Sequence, residues 1–349
     1  MKLLVTTNAR LYKTNRGQYY TPIVYGYSFF QRYLNVFEEI RIVAHVSNAT
    51  DEEVRNMLQV DGPGIEFYDI IWPHGKIGYI KQFFKIRRQV KRCYNGCDVA
   101  LLRIPDQLAF QVFRALYNKI PCGVEVTSNS WEFFAPGATN GLLRPLLRFL
   151  WDYEQKRVCR LANGTSYVTQ SSIQKRYPPS KWAIDSFDEN TRYYSTSYSN
   201  ADPGIYRGCL PREYGSEALM HLRLLHISGQ LKGRAKGHKE LIEACCQLKK
   251  NGYDVECILV GKGQLDKDIV RLVEMNDLKV TYAGFITAEQ IKELFMTSDM
   301  FVFPSYREGL PRVVVEAMAS GIVCIASDIA GNRELLDSEV LVPVMKWKE

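Results

Sequence analysis

Short runs of β-branched and apolar residues alternate along the chain with stretches whose apolar residues recur at helical spacing. This alternation predicts repeated βαβ units and therefore parallel sheets. A first set of strands is predicted at residues 2–6, 41–45, 99–102, 123–126 and 164–169. A second set is predicted at residues 224–228, 256–260, 280–283, 300–303 and 323–326. We therefore expect an α/β fold with two parallel sheets.

Residues 185–216 separate the two sets of strands and differ from them in composition. The stretch is rich in Tyr, Ser, Asn and Gly and lacks helical periodicity, which is typical of a segment between domains. We predict an N-terminal domain at residues 1–185 and a C-terminal domain at 186–345. No closing helix follows the strand-like residues 340–343, so we expect either an uncovered last strand or a sequence shorter than the natural protein.

The composition is that of an ordinary globular protein, with 349 residues, 46% of them hydrophobic. No apolar run reaches the roughly 18–20 residues of a membrane-spanning helix, and the N-terminus turns polar too early for a signal peptide. The nine cysteines include no C-x-x-C pair and form a poor disulfide framework. We therefore expect a cytoplasmic protein with reduced thiols, whose net charge of +7 favours anionic partners.

The most informative segment is residues 301–321, which reads as a buried strand, a turn and a helix that begins near Pro311. Gly309 permits close approach of a ligand to the backbone, and the amides that follow it form an anion site at the positive end of the helix. Glu308 comes just before this site, and Glu316 lies inside the helix. The segment thus predicts a phosphate site flanked by two carboxylates.

A carboxylate beside a phosphate is electrostatically costly, so neither glutamate is expected to bind the phosphates themselves. Both are better suited to accept hydrogen bonds from sugar hydroxyls on the two sides of a diphosphate. Taken alone, Glu316 would be a solvated helix residue and Glu308 a partner of the helix dipole. The whole string, from Pro304-Ser305 through Glu308 and Glu316 to Gly321, is more specific and favours the functional interpretation.

The segment resembles the Glu-x7-Glu motif of retaining glycosyltransferases of family four. Other family elements occur in the same order. These are Leu225–Leu231 with Lys236–His238, Ile258–Gly263, Tyr282–Ile286 and Gly331–Leu336. The resemblance covers residues 221–345, whereas the first 185 residues share only an order of strands and helices.

The resemblance implies the GT-B fold, in which two Rossmann-like domains face each other across a cleft. It implies that Glu308, Lys236 and Arg234 are catalytic, with the two cations holding the departing diphosphate. The nucleotide sugar would be bound by Gly229, Gln230, Gly261, Phe285, Ile286, Gly309, Leu310 and Glu316. Gln230 departs from the family, which usually has arginine there, and Arg234 is the residue expected to compensate.

Two other motifs are set aside. Asp266-Lys267-Asp268 has the spacing of a metal-binding Asp-x-Asp motif, but it stands where aspartate caps a charged helix. Residues 261–266 resemble a dinucleotide fingerprint, but Asp266 replaces the third glycine. The five histidines show no zinc-binding spacing. We therefore expect neither a metal nor another cofactor.

Residues 76–92 combine apolar residues at nearly helical spacing with many cations and no carboxylate. The segment is either an interfacial helix on an anionic membrane or a helix that covers the sheet and exposes its cations, and Phe83 and Phe84 favour the second reading because they need covering. Leu142–Trp151, with Arg144 and Arg148, is a second candidate for a basic edge.

On the acceptor side, Gly17 lies where relatives carry a glycine-bearing loop that faces the donor. Ser128, Asn129, Trp131 and Glu132 follow the carboxyl end of a predicted strand, where ligands of open α/β sheets bind. Ordinary loop capping explains each of these residues equally well.

The sequence thus predicts a hexosyltransferase that moves a sugar from a nucleotide diphosphate sugar, with retention and without metal. The acceptor is expected to be a glycan or lipid-linked glycan of polysaccharide biosynthesis, reached at the inner face of the membrane, with nucleic acid excluded as a partner. Two alternatives remain open, a nucleotide-sugar epimerase and a non-catalytic nucleotide-sugar-binding protein. Donor and acceptor identity depend on pocket shape and are left open.

Overall fold

The structure is a computed structural model that describes residues 1–23, 25–73, 75–136, 141–186, 188, 190–199, 203–211, 214 and 221–344. In the helix at residues 75–90, the side chains of residues 75–77, 79 and 80 also lie outside this description. The predicted inter-domain segment and the basic segment 76–92 therefore fall partly outside the described residues.

The first sheet is built from strands β1 (Lys2–Thr6), β2 (Leu11–Lys13), β3 (Tyr19–Thr21), β4 (Glu39–Asn48), β5 (Leu58–Gln59), β6 (Ile65–Ile71), β7 (Val99–Ile104), β8 (Cys122–Val126), β9 (Gly164–Tyr167) and β10 (Tyr194–Ser197). The helices in this part are α1 (Tyr27–Leu34), α2 (Asp51–Val54), α3 (Gly75–Val90), α4 (Gln107–Leu116), α5 (Ser130–Phe133), α6 (Arg144–Leu161) and α7 (Ser172–Arg176).

The second sheet is built from β11 (His221–Gln230), β12 (Asp254–Lys262), β13 (Lys279–Gly284), β14 (Met300–Phe303), β15 (Val323–Ser327) and β16 (Leu341–Val342). Its helices are α8 (His238–Lys250), α9 (Lys267–Met275), α10 (Ala288–Thr297) and α11 (Arg312–Ala319). Short 3₁₀ turns lie at Pro203–Tyr206, Arg234–Lys236, Asn332–Glu334 and Ser338–Val340.

Both sheets are mainly parallel, as the sequence pattern predicts. The first has the order β10-β9-β8-β7-β1-β4-β2-β3-β5, with β6 also paired to β4, and β3 is antiparallel to both of its neighbours. The second has the order β13-β12-β11-β14-β15-β16 and is parallel throughout. Helices connect successive parallel strands, so the expected α/β class is confirmed.

The chain divides into two compact units. One comprises residues 1–127, 151–167 and 174–197, and the other comprises 128–150, 168–173 and 198–349. Each unit contains one of the sheets. The predicted boundary between residues 185 and 186 remains a prediction.

Alternate residues of β11 and β12 enter two different cores, because successive side chains of a strand point to opposite faces. Leu225 and Ile258 pack with the aromatic rings of Phe295 and Phe301 on one face. Leu224 and Cys257 pack against α8 and α9 on the other. The second sheet is therefore buried on both faces, which holds the ends of its strands rigidly.

Several elements were not predicted from the sequence. β6 follows an alternating pattern interrupted by charges, and Arg41 of the neighbouring strand pairs with its Glu66 at 2.9 Å. β10 lies inside the predicted inter-domain segment and extends the first sheet by pairing with β9. Polar strands of this kind are set by backbone pairing with a neighbour, which a hydrophobic pattern does not reveal.

Candidate active site

The candidate site lies at the carboxyl edge of the second sheet, between β11 and β14. Connections from β11 run through β12 to β13 in one direction, whereas β14 to β16 extend the sheet in the other. The loops that follow β11 and β14 therefore lie side by side at a topological switch point, where open α/β sheets bind ligands. These loops, residues 231–237 and 304–311, carry most of the predicted catalytic residues.

Lys236 and Glu308 meet at this point. The Lys236 Nζ atom lies 2.5 Å from Glu308 Oε1, and the Glu308 carboxylate is mostly buried. The Ser305 hydroxyl lies 2.8 Å from the same oxygen. Since this distance is shorter than those to the carbonyls of Ala235 and Arg307, Glu308 is the acceptor of the Ser305 proton. Lys236 keeps two further N–H donors, and Glu308 keeps its second oxygen, for a ligand.

Two close backbone contacts fix the loops around this pair. Gly237 has a φ of 72°, and a Cβ atom there would lie 2.1 Å from the Pro304 carbonyl oxygen. A Cβ atom on Gly331 would lie 1.9 Å from the carbonyl oxygen of Gly309. No side chain fits at either position, so both glycines allow neighbouring loops to approach closely.

Further hydrogen bonds, from residues at the end of β15 and just after it, fix the loop that follows β14. Ser327, at the end of β15, donates its hydroxyl proton to the Ser305 carbonyl. The side-chain amide of Asn332 donates to the Ser327 carbonyl at 2.7 Å. Ser305, Ser327 and Asn332 are all buried, so this chain of contacts orients Ser305 toward Glu308 with little freedom.

Helix α11 begins directly after this loop, with Pro311 at its N-cap and not inside its first turn. The first backbone N–H groups of the helix that find an acceptor are those of Val314 and Val315, which both donate to the Pro311 carbonyl. Within the described part of the chain, the backbone N–H groups of residues 309, 310, 312 and 313 have no protein acceptor. These amides are the positive end of the helix and can bind an anion.

Glu316 is the fifth residue of α11 and is half-buried. Among the described residues, its carboxylate has no hydrogen-bond or ion-pair partner. Burial raises the pKa of Glu316, and the nearby Arg312 cation lowers it in part. A half-buried acceptor without a protein donor is suited to the hydroxyls of a bound ligand.

Most of the other predicted donor-site residues lie at or just after the carboxyl ends of β11, β12 and β13, and Leu310 lies in the loop after β14. Gly229 and Gln230 end β11, and a Cβ atom on Gly229 would meet nothing within 4 Å. Gly261 packs against the Ser228 carbonyl, where a Cβ atom would lie at 2.6 Å. Leu310, in the loop before α11, is half-buried.

An exposed aromatic ring lies beyond this edge. Phe285 is 75% exposed, and the Lys262 Nζ atom lies 4.4 Å from its ring centroid. The neighbouring Ile286 packs against the core and fixes the loop. The arrangement leaves one ring face for a planar ligand group and adds a cation beside it.

Arg234 does not contact Glu308. Its guanidinium lies 3.5 Å from the Asp268 carboxylate, in an exposed pair. The rejected Asp-x-Asp motif is thus at the start of α9, where Asp266 is the N-cap residue. Across the described residues, no three His, Cys, Asp or Glu side chains are grouped as a metal site would require.

The predicted acceptor residues are separate from this cluster in sequence. Gly17 has a φ of 80° in the turn between β2 and β3. Ser128 and Asn129 lie between β8 and α5, and the Asn129 side chain caps α5 by accepting from the Trp131 and Glu132 amides. Trp131 has the Arg148 guanidinium 3.8 Å from its ring. Their role toward an acceptor stays a prediction.

The expectation that Phe84 is covered is wrong, because its side chain is 78% exposed on α3. Among the described side chains of α3, those of Ile86 and Val90 are buried. Tyr79 and Ile80, which belong to the same predicted apolar face, lie outside the described side chains.

Three residues near the site were not assigned from the sequence. Ser305 was part of the quoted motif, and its position three residues before Glu308 was the available signal. Lys262 comes directly after the predicted site residue Gly261, at the end of β12. Arg307 donates to the Phe133 carbonyl at 3.0 Å, and burial lowers its pKa. No sequence pattern links residues 133 and 307, which only folding brings together.

Comparisons with known proteins identify the type of fold and the family of one domain. Residues 222–347 match the family described as glycosyl transferases group 1. Sucrose-phosphate synthase from Thermosynechococcus elongatus superposes with a TM-score of 0.61 at 15% identity, covering 100% of this chain and 87% of that one. The chain thus has a GT-B-type fold and contains a glycosyltransferase group 1 domain.

Two similar sequences differ in how much of this chain they cover. Protein CapJ of Staphylococcus aureus is 25% identical over 95% of this chain and 79% of its own length. The amylovoran biosynthesis glycosyltransferase AmsK of Erwinia amylovora is 34% identical over 34% of this chain and 31% of its own.

A further relative is named for a lipid-linked acceptor. The N,N'-diacetylbacillosaminyl-diphospho-undecaprenol alpha-1,3-N-acetylgalactosaminyltransferase of Campylobacter jejuni is 35% identical over 30% of this chain and 26% of its own length. This match and the match to AmsK each span about a third of the chain or less.

Proposed function

We propose that the protein transfers a hexose from a nucleotide diphosphate sugar to a glycan or lipid-linked glycan, with retention and without metal. The observation that carries the proposal is the meeting of the Lys236–Glu308 pair with the unpaired amides at the start of α11. A cation and free N–H donors suit a diphosphate, and two carboxylates suit the hydroxyls on either side of it. The name of the relative AmsK, an amylovoran biosynthesis glycosyltransferase, supports a role in polysaccharide biosynthesis, and the name of the Campylobacter transferase supports a lipid-linked acceptor.

In this proposal the backbone N–H groups of residues 309, 310, 312 and 313 bind the diphosphate, and Lys236 turns its remaining N–H donors toward it. As the sugar–phosphate bond breaks, negative charge grows on the leaving phosphate, and Lys236 stabilises that charge. Glu308, held by Ser305, accepts from a hydroxyl of the transferred sugar. Glu316 accepts from the ribose, and Phe285 stacks on the base.

Retention is proposed to follow from the leaving phosphate taking the acceptor proton on the same face of the sugar. The acceptor oxygen forms the new bond to the anomeric carbon while the bond to phosphate breaks, and the acceptor proton passes to the phosphate oxygen. This route needs no protein base at the site.

Donor binding is tested by thermal shift with uridine and guanosine diphosphate sugars, each measured with and without EDTA. A donor at about 100-fold its dissociation constant adds about 2.7 kcal/mol of stability. We expect at least one donor to respond equally with EDTA present. A response that EDTA abolishes contradicts metal independence, and silence across the panel contradicts the proposed donor site.

Turnover is tested with Lys236→Ala and Glu316→Ala, using exposed Lys232→Ala as the matched control. Loss of the Lys236 cation is expected to lower kcat by about 10²–10³-fold, because it acts on transition-state charge. Loss of Glu316 is expected mainly to raise the donor KM. Normal transfer by both variants would show that the site is wrongly assigned, and isomerised donor without acceptor would indicate an epimerase.

A further inference from the structure

An exposed apolar surface lies on residues 142–150. Its large side chains are each more than half exposed. They are Leu142, Leu143, Leu146, Phe149 and Leu150. Leu146, Phe149 and Leu150 are spaced by three and four residues and therefore share one side of the first turns of α6, and Leu142 and Leu143 lie in the turn directly before this helix. We call this the 142–150 surface.

Such a surface is unusual on a folded protein in water. Single exposed apolar residues are ordinary, but a contiguous group of five large ones marks a surface that binds something apolar. Contacts with α5 hold this group of side chains in place. Phe149 packs edge-on against the Trp131 ring, with centroids 5.3 Å apart. The Arg148 Nε atom donates to the Trp131 carbonyl at 2.8 Å.

The charge around the surface identifies its partner. Residues 133–151 contain no Asp or Glu, whereas Arg144 and Arg148 lie within the same turns. Apolar side chains beside arginines, without carboxylates, are typical of a helix that lies in the headgroup region of an anionic bilayer. A second copy of the chain would bring the same positive charge to the contact, since its net charge is +7. An anionic lipid surface is complementary where a second copy is not.

We propose that the 142–150 surface inserts into the headgroup region of an anionic membrane. No helix in the described part of the chain is long and apolar enough to cross a bilayer, so this contact lies on the membrane and does not span it.

Helix α5, which packs against the 142–150 surface, also contacts the loop that carries Glu308. The Arg307 guanidinium lies 3.8 Å from the Phe133 ring centroid and donates to the Phe133 carbonyl. Phe133 and Trp131 both belong to α5, so α5 joins the 142–150 surface to the catalytic loop. This step rests on the proposed function. If that function holds, membrane contact brings the loop that carries Glu308 close to an acceptor sugar carried by a lipid.

The test is co-sedimentation of the whole chain with vesicles of phosphatidylglycerol and phosphatidylcholine in equal amounts, against vesicles of phosphatidylcholine alone. We expect binding to the anionic vesicles that weakens with added salt. Leu142→Ser/Leu146→Ser is expected to weaken vesicle binding by roughly tenfold or more. Met275→Ser changes another exposed apolar residue, on α9, whose 83% exposure lies between those of Leu142 and Leu146; it serves as the control and is expected to bind normally.

Circular dichroism and the donor thermal shift are expected to be unchanged in the double variant, because Leu142 and Leu146 are exposed. Wild-type protein that stays in the supernatant, or a double variant that binds like wild type, overturns the proposal. Loss of binding in Phe84→Ser but not in the double variant would also overturn it and assign the membrane contact to α3.

A wild-type dimer that the double variant converts to a monomer would overturn the proposal as well, since the surface would then join two copies. Light scattering measures this directly. Vesicle binding does not depend on turnover. Binding together with a silent donor panel would therefore contradict the proposed function and leave the membrane contact standing.

Discussion

At the scale of single residues, the site depends on pairs that stabilise one another's orientation. Glu308 is a carboxylate beside a proposed diphosphate site, a position that costs electrostatic energy unless a cation compensates it. Lys236 supplies that cation at 2.5 Å, and the Ser305 hydroxyl fixes the carboxylate from the other side. Ser305 is therefore a positioning residue that acts through Glu308.

We expect Ser305→Ala to lower kcat by roughly tenfold or more while the donor KM changes less. A hydrogen bond to a charged group contributes about 1.5–3 kcal/mol, and its loss lets the Glu308 carboxylate rotate. Steady-state kinetics separate the two parameters. Ser320→Ala removes another buried hydroxyl, one that donates to the Ala317 carbonyl within α11, and is the control. Equal kinetic losses in both variants would indicate general destabilisation and not positioning.

A buried histidine predicts how stability depends on pH. Burial lowers the pKa of His226 to about 3, and the neighbouring His238 and Lys236 contribute. Below the ordinary histidine pKa of about 6.5, the unfolded chain binds a proton that the folded chain does not. The His226 contribution therefore decreases stability as pH falls from about 6.5 toward 3, and has no effect above 6.5.

The expected slope is up to about 1.4 kcal/mol per pH unit in that window. Urea denaturation of the wild type and of His226→Phe, each at pH 7.5 and pH 5, measures it. The wild type is expected to lose more free energy of unfolding than the variant between the two pH values. An equal loss in both proteins would mean that His226 is protonated in the folded state.

At the scale of elements, the parallel strands place two loops side by side and glycines let them touch. Gly237 connects the 3₁₀ turn of Lys236 to α8, with its backbone against Pro304. Gly331 brings the turn after β15 against Gly309. These contacts explain why a motif around residue 236 and another around residue 308 form one site.

Gly237→Ala is expected to destabilise the protein by several kcal/mol, because its Cβ atom would overlap the Pro304 carbonyl. Gly233 is the matched control, since it also has a positive φ but its Cβ atom would meet nothing within 4 Å. Gly233→Ala is expected to cost only the strain of its own backbone conformation, which has φ 92° and ψ 161°, about 1–3 kcal/mol. Urea denaturation gives both values, and equal losses would show that the contact with Pro304 is unimportant.

At the scale of the whole molecule, the two compact units have separate cores. Phe30 is buried in the core of the first sheet, and Phe295 in a core of the second. The predicted diphosphate contacts all belong to the unit that contains the second sheet. Since multidomain chains commonly unfold in more than one step, the two units are expected to respond differently to a nucleotide.

We expect calorimetry to show two transitions. Phe30→Ala is expected to lower one and Phe295→Ala the other, each by about 3–5 kcal/mol of stability. Uridine or guanosine diphosphate, whichever the donor panel selects, is expected to raise the transition that Phe295→Ala lowers. If the nucleotide instead raises the temperature of the transition that Phe30→Ala lowers, the donor site belongs to the unit that contains the first sheet, and the proposed site is wrong.

The sequence by itself determined the class of fold and supplied the candidate site residues, whose roles stay predictions. Its strands β1, β7, β8, β11, β12, β14 and β15 are apolar runs whose burial is local in origin, so the pattern revealed them. The string from Pro304 to Gly321 likewise carried its turn, its glycine and its two glutamates in one continuous segment. Polar strands such as β6 and β10 escaped, because pairing with a distant neighbour stabilises them.

Only the tertiary structure decided which distant residues meet. The Lys236–Glu308 pair joins residues 72 positions apart, and the contact between Arg307 and Phe133 joins residues 174 positions apart. The hydrogen bonds from Asn332 to Ser327 and from Ser327 to Ser305 connect two further loops. It also showed that Arg234 pairs with Asp268 and that the 142–150 surface is exposed. Hydrophobic periodicity records which face of an element is buried, but contacts between loops depend on strand order and close backbone packing, which no local pattern encodes.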